Sequence, residues 1–232
     1  MAEVYRRTRT ALRVVQVIAG VTIPIAGFFW IAGRIDWLGG WFYVGVVVAC
    51  HAVSALVLWR RNPELLWRRG SIGQGTRAWD AICLGGLGVT FLATVGLGAL
   101  DAGRHGWSAM PAGLCLVGAL LYAGFVVLLT WCMVVNPHFE KTVRIQLDRA
   151  HRVIQTGPYR LVRHPGYAGL LLGFILGTPL LLGSWWAFLP ALGSLGMIAV
   201  RTALEDRLLR AELPGYREYA ERVRYRLVPG VW

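Results

Sequence analysis

The sequence predicts an all-α fold, a polytopic membrane bundle of about six transmembrane helices. Hydrophobic residues occupy 56% of the 232 positions, charged residues only 16%, and the mean hydropathy is +0.53. Several apolar runs approach the roughly 20 residues that an α-helix needs to cross a bilayer. No strand-like alternation of useful length and no internal repeat is present. This composition excludes an ordinary soluble domain.

Six apolar segments are the candidate membrane helices, and the last two form a short hairpin. The segments are Leu12–Ala32, Leu38–Trp59, Trp79–Leu100, Met110–Val135, Pro165–Leu182 and Trp185–Val200. The first is too long for the apolar core of a cleavable signal peptide, and no small-residue cleavage site follows it. Gly183-Ser184 supplies the turn of the hairpin. Because both hairpin arms are short, we expect them to be tilted, kinked or partly re-entrant.

The basic residues indicate the topology. All of the 24 Lys and Arg residues except Arg34 and Arg104 lie on the termini and on alternate connections. The positive-inside rule therefore places both termini in the cytoplasm, which requires an even number of spans. We expect a multi-pass protein of the cell inner membrane whose arginines contact membrane lipids. A nucleic-acid partner is not expected.

The cysteines indicate neither a disulfide framework nor a metal site. All four lie inside apolar spans, and no Cys-x-x-Cys or Cys/His spacing is present. We expect them to be small residues of the core.

The chain changes character near residue 135. Residues 1–135 are interpreted as a four-helix transmembrane scaffold. Residues 136–232 are interpreted as a cofactor-binding catalytic region with the helical hairpin and a cytoplasmic C-terminal tail. In the first hairpin arm, Gly169, Gly173 and Gly177 recur every four residues. This stripe favours close helix packing over a ligand contact.

Residues 157–169 read GPYRLVRHPGYAG, which is unusually polar and rigid for the N-terminal end of an apolar helix. Gly157-Pro158 predicts a turn. Pro165 pushes His164 out of helical geometry and is itself suited to the first position of a helix. The unsatisfied N–H groups and the positive dipole end of that helix therefore face the preceding loop.

The side chains of this stretch suit a ligand that carries both charges. Arg160 and Arg163 add positive charge at the helix start, which favours a carboxylate or a phosphate. Tyr159 and Tyr167 offer aromatic faces that suit a cation. S-adenosyl-L-methionine combines a carboxylate with a fixed sulfonium cation. The alternative is a basic loop that caps a helix and holds phospholipid headgroups.

A second group of ionisable residues follows in the last apolar segment. Arg201 and Glu205 are four residues apart and share a helix face, and Asp206 follows. Carboxylates this close to the hydrocarbon are usually functional. Glu205 is the candidate for accepting hydrogen bonds from the cofactor, and Arg201 for holding an anionic substrate group, because its fork engages carboxylates bidentately. A structural salt bridge with Arg163 or Arg160 is the alternative.

The stretch HRVIQTGPYRLVRHPGYAG, followed one hairpin later by the pattern Arg-x-x-x-Glu-Asp, resembles the isoprenylcysteine carboxyl methyltransferase family. The resemblance extends from Asn136 to the C-terminus. It implies an integral membrane methyltransferase that uses S-adenosyl-L-methionine. The family often has two glutamates where this chain has Glu205-Asp206, and the spacing from Leu209 to Gly215 is a residue longer here.

Carried over residue by residue, the resemblance implies cofactor contacts and a substrate contact. The implied cofactor-binding residues are His151, Arg152, Val153, Ile154, Tyr159, His164, Pro165, Gly166, Tyr167 and Glu205. The implied substrate contact is Arg201, and we add Arg163 as a second candidate catalytic residue. His105 and His138 have no matching role, and His51 is expected to be packed within its span.

The predicted activity is methyl transfer to a carboxylate acceptor, such as a prenylcysteine, at the cytoplasmic interface. A carboxylate is already ionised at neutral pH, so the protein mainly has to position the reactants. A small thiol acceptor would need a base or a positive field, which His164 or the Arg201–Arg163 pair would supply. A phospholipid amine is a further acceptor class. An NADPH-dependent sterol-type reductase is the rival enzyme class, because membrane reductases share a similar His-Pro-x-Tyr-x-Gly turn.

Overall fold

A computed structural model describes residues 18–68 and 75–232 of the chain. All regular secondary structure in these two ranges is helical, which confirms the predicted all-α class. Within these ranges, five helices are long and apolar enough to cross a membrane, and a shorter apolar helix precedes them. The orientation of the termini stays a prediction.

The helices follow the predicted order. They are α1 (Ile18–Ala32), α2 (Leu38–Arg61), α3 (Pro63–Arg68), α4 (Ala78–His105), α5 (Ala112–Val135), α6 (Pro165–Leu182), α7 (Phe188–Glu212) and α8 (Tyr216–Arg222). The backbone is π-helical at Ala99–His105 of α4 and at Leu171–Gly177 of α6. Residues 12–17 of the first predicted span lie outside the described residues. The first hairpin arm has the predicted bounds.

The last helix extends beyond its apolar segment. That segment was predicted to end at Val200, with Arg201 and Glu205 on one face at the end of the same helix, and α7 continues to Glu212. Hydropathy drops at Arg201, whereas the helix does not end there, because Leu, Ala, Glu and Arg are all good helix formers. The polar half of α7 is therefore helical, and it carries the ionisable residues of the second predicted cluster on a rigid element.

Helix α6 is the enclosed helix of the bundle. In its most apolar window 61% of the residues are buried, against 17–28% in the other four spanning helices, whose remaining surface is suited to lipid. The glycine stripe of α6 faces α5. A methyl group added at Gly169 would lie 3.0 Å from the Phe125 ring, and one added at Gly173 would overlap that side chain. The stripe thus serves helix packing, as the sequence favoured.

A buried carboxylate fixes the turn of the hairpin at the end of the bundle where α4 terminates. Asp101 accepts hydrogen bonds from the Ser108 backbone N–H at 2.8 Å and from the Ser184 hydroxyl at 2.6 Å. Gly183 closes α6 with a positive φ of 72°, as expected for a glycine at this position. Asp101 therefore ties α4 to the α6–α7 turn.

Two smaller predictions have mixed outcomes. Cys83 and Cys132 are buried, whereas Cys50 and Cys115 are only partly buried. His51 was expected to be packed, but it is exposed on α2, where its ring nitrogen pairs with the Val47 carbonyl at 2.9 Å. The hydrogen bond within its own helix lets this polar side chain lie on an otherwise apolar surface.

Candidate active site

A cavity of about 250 Å³ lies where the chain after α5, the start of α6 and the polar half of α7 meet. One wall is formed by residues 136–154, which run irregularly between α5 and the motif. The second wall is the motif turn with the first turns of α6, and the third is α7 with α8. Leu84 of α4 and Leu129 of α5 add apolar surface from the part of the chain interpreted as the scaffold, residues 1–135.

Every site residue that the sequence predicted lines this cavity. These residues are His151, Arg152, Val153, Ile154, Tyr159, Arg163, His164, Pro165, Gly166, Tyr167, Arg201 and Glu205. The α6–α7 hairpin returns the chain to its starting face, which brings the motif beside Arg201 and Glu205. Their individual roles stay predictions. Arg160 is exposed and is not among the lining residues.

The backbone of the motif has the predicted geometry. Gly157 has a positive φ of 59° and opens a helical turn, Gly157–Arg160, with Pro158 in second place. His164 is non-helical, with φ −123° and ψ 63°, and Pro165 is the first residue of α6. The carbonyl of His164 accepts the N–H groups of Tyr167 and Ala168, both at 3.1 Å. The turn therefore aims the start of α6 at the cavity.

Arg163 and Asp206 form a buried ion pair beside the cavity. The Nε of Arg163 donates to Asp206 at 2.8 Å, and its Nη1 donates to the Val223 and Arg224 carbonyls, both at 2.8 Å. Asp206 is 1% exposed, and it also accepts hydrogen bonds from Arg210, Tyr216 and Arg226. The structural salt bridge considered for this region is thus made by Asp206. Arg163, a candidate catalytic residue, is engaged in holding the C-terminal segment.

Glu205 points to a different neighbour from Asp206. It accepts a hydrogen bond from the Tyr167 hydroxyl, and the Tyr167 ring lies under the Arg201 guanidinium, 5.2 Å from ring centroid to Cζ. The cation over the Tyr167 ring is therefore supplied by the chain itself, whereas the sequence suggested a ligand cation there. Two adjacent carboxylates consequently separate in function, Asp206 toward the fold and Glu205 toward the cavity.

Arg201 is held by a residue that the sequence did not single out. Its Nε donates to Asp80 of α4 at 2.7 Å, and its Nη2 donates to the Lys141 carbonyl at 2.6 Å. Within the described residues its Nη1 has no hydrogen-bond partner. Arg201 is only 5% exposed, so its free N–H groups are presented in a largely dry setting at the cavity wall.

Three buried polar atoms in the first wall have no partner within hydrogen-bond geometry among the described residues. They are the Nδ1 of His138, the Oγ1 of Thr142 and the Oε1 of Gln146, and all three residues line the cavity. Buried polar groups are nearly always paired, so a group of three in one cavity wall indicates that a polar ligand or ordered water belongs there. His138, to which the sequence assigned no role, therefore belongs to the site.

The two histidines of this wall are held neutral. Their ring centroids are 4.6 Å apart. Burial lowers the pKa of His151 to about 4, with further lowering by the His138 and Arg144 charges. Burial also lowers the pKa of His138. Two neutral imidazoles can act as hydrogen-bond acceptors as well as donors at neutral pH.

The comparison with known families falls on this region of the chain. Residues 116–211 match the model of the isoprenylcysteine carboxyl methyltransferase (ICMT) family. The match confirms the resemblance that the motif indicated, with different limits: it begins within α5, earlier than Asn136, and ends near the end of α7. The segment whose carbonyls accept hydrogen bonds from Arg163, at Val223 and Arg224, lies beyond it.

Two curated plant proteins are similar over a shorter stretch. The chain is 43% identical over 44 residues to a probable protein-S-isoprenylcysteine O-methyltransferase from Oryza sativa subsp. indica, and equally to one from subsp. japonica. These 44 residues are 19% of this chain and 22% of each rice protein, so the chain spans about a fifth of the length of the relatives it matches.

The ICMT match includes most of the cavity wall but not all of it. His138, Glu205 and Arg201 lie inside the matched range, whereas Tyr216 lies outside it. Asp80, which holds Arg201 without lining the cavity, also lies outside the range. Tyr216 donates to Asp206 at 3.0 Å, and Tyr219 donates to the Tyr159 carbonyl at 2.7 Å. No spacing in the sequence indicates these partners, because α4 and α8 reach the site only through the tertiary fold.

Proposed function

We propose that the protein is a membrane-embedded S-adenosyl-L-methionine-dependent methyltransferase that acts on a carboxylate, with a prenylcysteine as the preferred acceptor class. One observation carries the proposal: every residue that the ICMT resemblance implies for the cofactor and the substrate lines a single cavity, between the motif turn and the polar half of α7. The family match covers both of these walls.

The residues present fit S-adenosyl-L-methionine. The Glu205 carboxylate is suited to the ammonium group of the cofactor, and the unpartnered atoms of His138, Thr142 and Gln146 offer hydrogen bonds to a polar ligand. When bound, the cofactor supplies an electrophilic methyl group on a sulfonium. The negative charge of Glu205 favours a ligand with that positive charge.

The acceptor side is supplied by Arg201. Its guanidinium is fixed at Nε and Nη2 by Asp80 and Lys141, and its Nη1 remains for an incoming oxyanion. A carboxylate acceptor needs no general base, because it is ionised at neutral pH. Leu84, Leu129 and Leu170 give the same cavity an apolar side that suits a lipophilic acceptor.

The chain's own contribution is positioning. Tyr167 connects the two halves of the site, since its hydroxyl holds Glu205 and its ring supports Arg201. A near-attack geometry can account for up to about 7–11 kcal/mol of a barrier. Because Arg201 is 5% exposed, its attraction for an anion is stronger than it would be in bulk water.

We further propose that the cavity opens to the cytoplasm in the cell inner membrane. The arginine-rich residues 141–163 and the polar half of α7 lie on one face of the bundle, and the positive-inside rule assigns that face to the cytoplasm. A soluble cofactor would then arrive from water while a lipophilic acceptor arrives from the bilayer.

The test is a calorimetric titration of the detergent-purified protein with S-adenosylhomocysteine, with NADPH titrated in parallel. Methyl transfer from radiolabelled S-adenosyl-L-methionine is then measured with N-acetyl-S-farnesyl-cysteine, a small alkyl thiol and phosphatidylethanolamine as acceptors. Binding of the adenosyl ligand and transfer to the farnesyl-cysteine carboxylate are expected. Methyl transfer to the thiol alone or to the amine alone would show that the acceptor is not a carboxylate. Binding of NADPH without binding of S-adenosylhomocysteine would overturn the proposal.

A further inference from the structure

Asp80, in the first turn of α4, is fully buried and belongs to neither the motif nor the matched family region. We propose that Asp80 is a positioning residue for Arg201: it fixes the direction in which this guanidinium faces the acceptor. The inference deepens the proposed function, on which its rate measurement rests.

The first support is the division of the two carboxylate oxygens. Oδ1 of Asp80 accepts the Nε of Arg201 at 2.7 Å, and Oδ2 accepts the Val143 N–H at 2.8 Å. Both side chains of the ion pair are buried, 6% and 0% exposed. Asp80 thus binds α7 and the first cavity wall to α4 at the same time.

The second support is that these contacts form a closed ring. Arg201 donates to the Lys141 carbonyl at 2.6 Å, and Asp80 accepts from Val143, two residues further along the chain. Lys141 and Val143 both line the cavity. The guanidinium is therefore fixed at two of its three nitrogens, Nε and Nη2, and this fixes the direction of Nη1.

The third support is the contact between Arg201 and Tyr167. Tyr167 lies against the Arg201 guanidinium, so the ring of contacts also determines where the Tyr167 hydroxyl meets Glu205. A shift of the guanidinium would move both sides of the site. Misplacement by about 1 Å can reduce a rate by about 100-fold.

The test compares Asp80→Asn with Asp101→Asn. Asparagine keeps the shape and one acceptor oxygen for Val143 but removes the charge that orients Arg201. Asp101 is the matched control because it lies near the other end of α4, is also fully buried, and contacts Ser108 and Ser184 and no residue of the cavity. Rates are divided by the concentration of S-adenosylhomocysteine-binding sites, so that unfolded protein does not lower the measured kcat.

We expect Asp80→Asn to lower kcat for farnesyl-cysteine methylation by about 10- to 100-fold, with a smaller loss of affinity for S-adenosylhomocysteine and no rise in KM. Asp101→Asn should keep the kcat per site. A kcat loss in Asp80→Asn no larger than in Asp101→Asn would overturn the inference, as would a rise in KM without a change in kcat.

A second measurement does not depend on turnover. In protein with ¹⁵N-labelled arginine, the Nε–H resonance of Arg201 is assigned by its absence in Arg201→Lys. We expect Asp80→Asn to shift or broaden this resonance and Asp101→Asn to leave it in place. An unchanged resonance in Asp80→Asn overturns the inference. An inactive wild-type protein with the expected resonance changes would overturn the proposed function and leave the positioning of Arg201 by Asp80 supported.

Discussion

The Tyr167 hydroxyl donates a hydrogen bond to Glu205, and the same ring lies 5.2 Å from the Arg201 guanidinium carbon. One aromatic side chain at the start of α6 therefore contacts both ionisable residues that α7 contributes to the cavity. Arg201 and Glu205 are one helical turn apart, so Tyr167 contacts a single face of α7. We propose that Glu205 serves the cofactor side of this arrangement and Arg201 the acceptor side.

Glu205→Gln should weaken S-adenosylhomocysteine binding by about 10- to 100-fold. The substitution keeps the size of the side chain and removes a charged acceptor, and a hydrogen bond to a charged group contributes about 1.5–3 kcal/mol. Calorimetric titration measures the change. Glu212→Gln is the control, because Glu212 lies at the end of the same helix in an exposed pair with Arg77. Equal losses in the two variants would contradict a cofactor role for Glu205.

Arg201→Lys should bind S-adenosylhomocysteine like the wild type and lose at least about 100-fold in kcat with the carboxylate acceptor. Lysine keeps the positive charge near Asp80 but lacks the planar fork that bonds Asp80, Lys141 and an acceptor together. Binding and steady-state methyl transfer measure the two effects. Equal loss of binding and turnover would contradict the division between the cofactor side and the acceptor side.

Sequence reasoning predicted the helices and the motif because both have local causes. The apolar runs fix the positions of the spans, and Pro165 fixes the start of α6 through its own ring. The apolar segment alone did not indicate how far α7 extends. Hydropathy reports contact with lipid, whereas helix formation continues through Arg201–Glu212, where the side chains form the site.

The partners of the site residues could not be predicted in the same way. Asp80 appears in the sequence as a lone acidic residue at the start of an apolar span, and its contact with Arg201 joins residues 121 positions apart. The charge pattern also did not indicate whether Glu205 or Asp206 would pair with Arg163. That choice depends on the rotation of α7 against α6, which turns Asp206 toward the C-terminal segment and Glu205 toward Tyr167.

Asp206→Asn should destabilise the fold by about 3–5 kcal/mol, because it leaves the buried Arg163 without a compensating charge. The denaturant midpoint in detergent, followed by tryptophan fluorescence, measures the loss. Asp148→Asn is the control. Asp148 pairs with Arg144 at 2.9 Å, but its side chain is 55% exposed, so its loss should change the stability by at most about 1 kcal/mol. Similar effects of the two substitutions would argue against a structural role for Asp206.

The neutral histidines predict a dependence of stability on pH. The pKa of His151 is lowered from the ordinary 6.5 to about 4, and that of His138 is lowered as well, chiefly by burial. Between pH 6.5 and 4 the unfolded chain therefore binds protons that the folded protein does not. The free energy of unfolding should fall as the pH is lowered through this range and should be level above it.

The pH dependence is measured as the unfolding midpoint between pH 8 and pH 4.5, for the wild type and for the double variant His138→Gln, His151→Gln. The nearby charges of Glu140, Arg144, Arg149 and Arg152 are retained in both proteins, so the difference between the two curves reports the histidines. The double variant should lose part of the acid-side slope. Parallel curves would show that other groups cause the destabilisation.

Gly173→Ala should destabilise the bundle by about 1–3 kcal/mol, because the added methyl group overlaps the Phe125 side chain of α5 and the enclosed α6 has no room to move away. Gly193→Ala in α7 is the matched control, since a methyl group there meets nothing within 4 Å and alanine is the better helix former by up to about 1 kcal/mol. Unfolding midpoints in detergent should therefore shift in opposite directions.

Because α6 begins at the motif, Gly173→Ala should also weaken S-adenosylhomocysteine binding while Gly193→Ala leaves it unchanged. A neutral Gly173→Ala would mean that α5 and α6 separate more easily than their packing indicates.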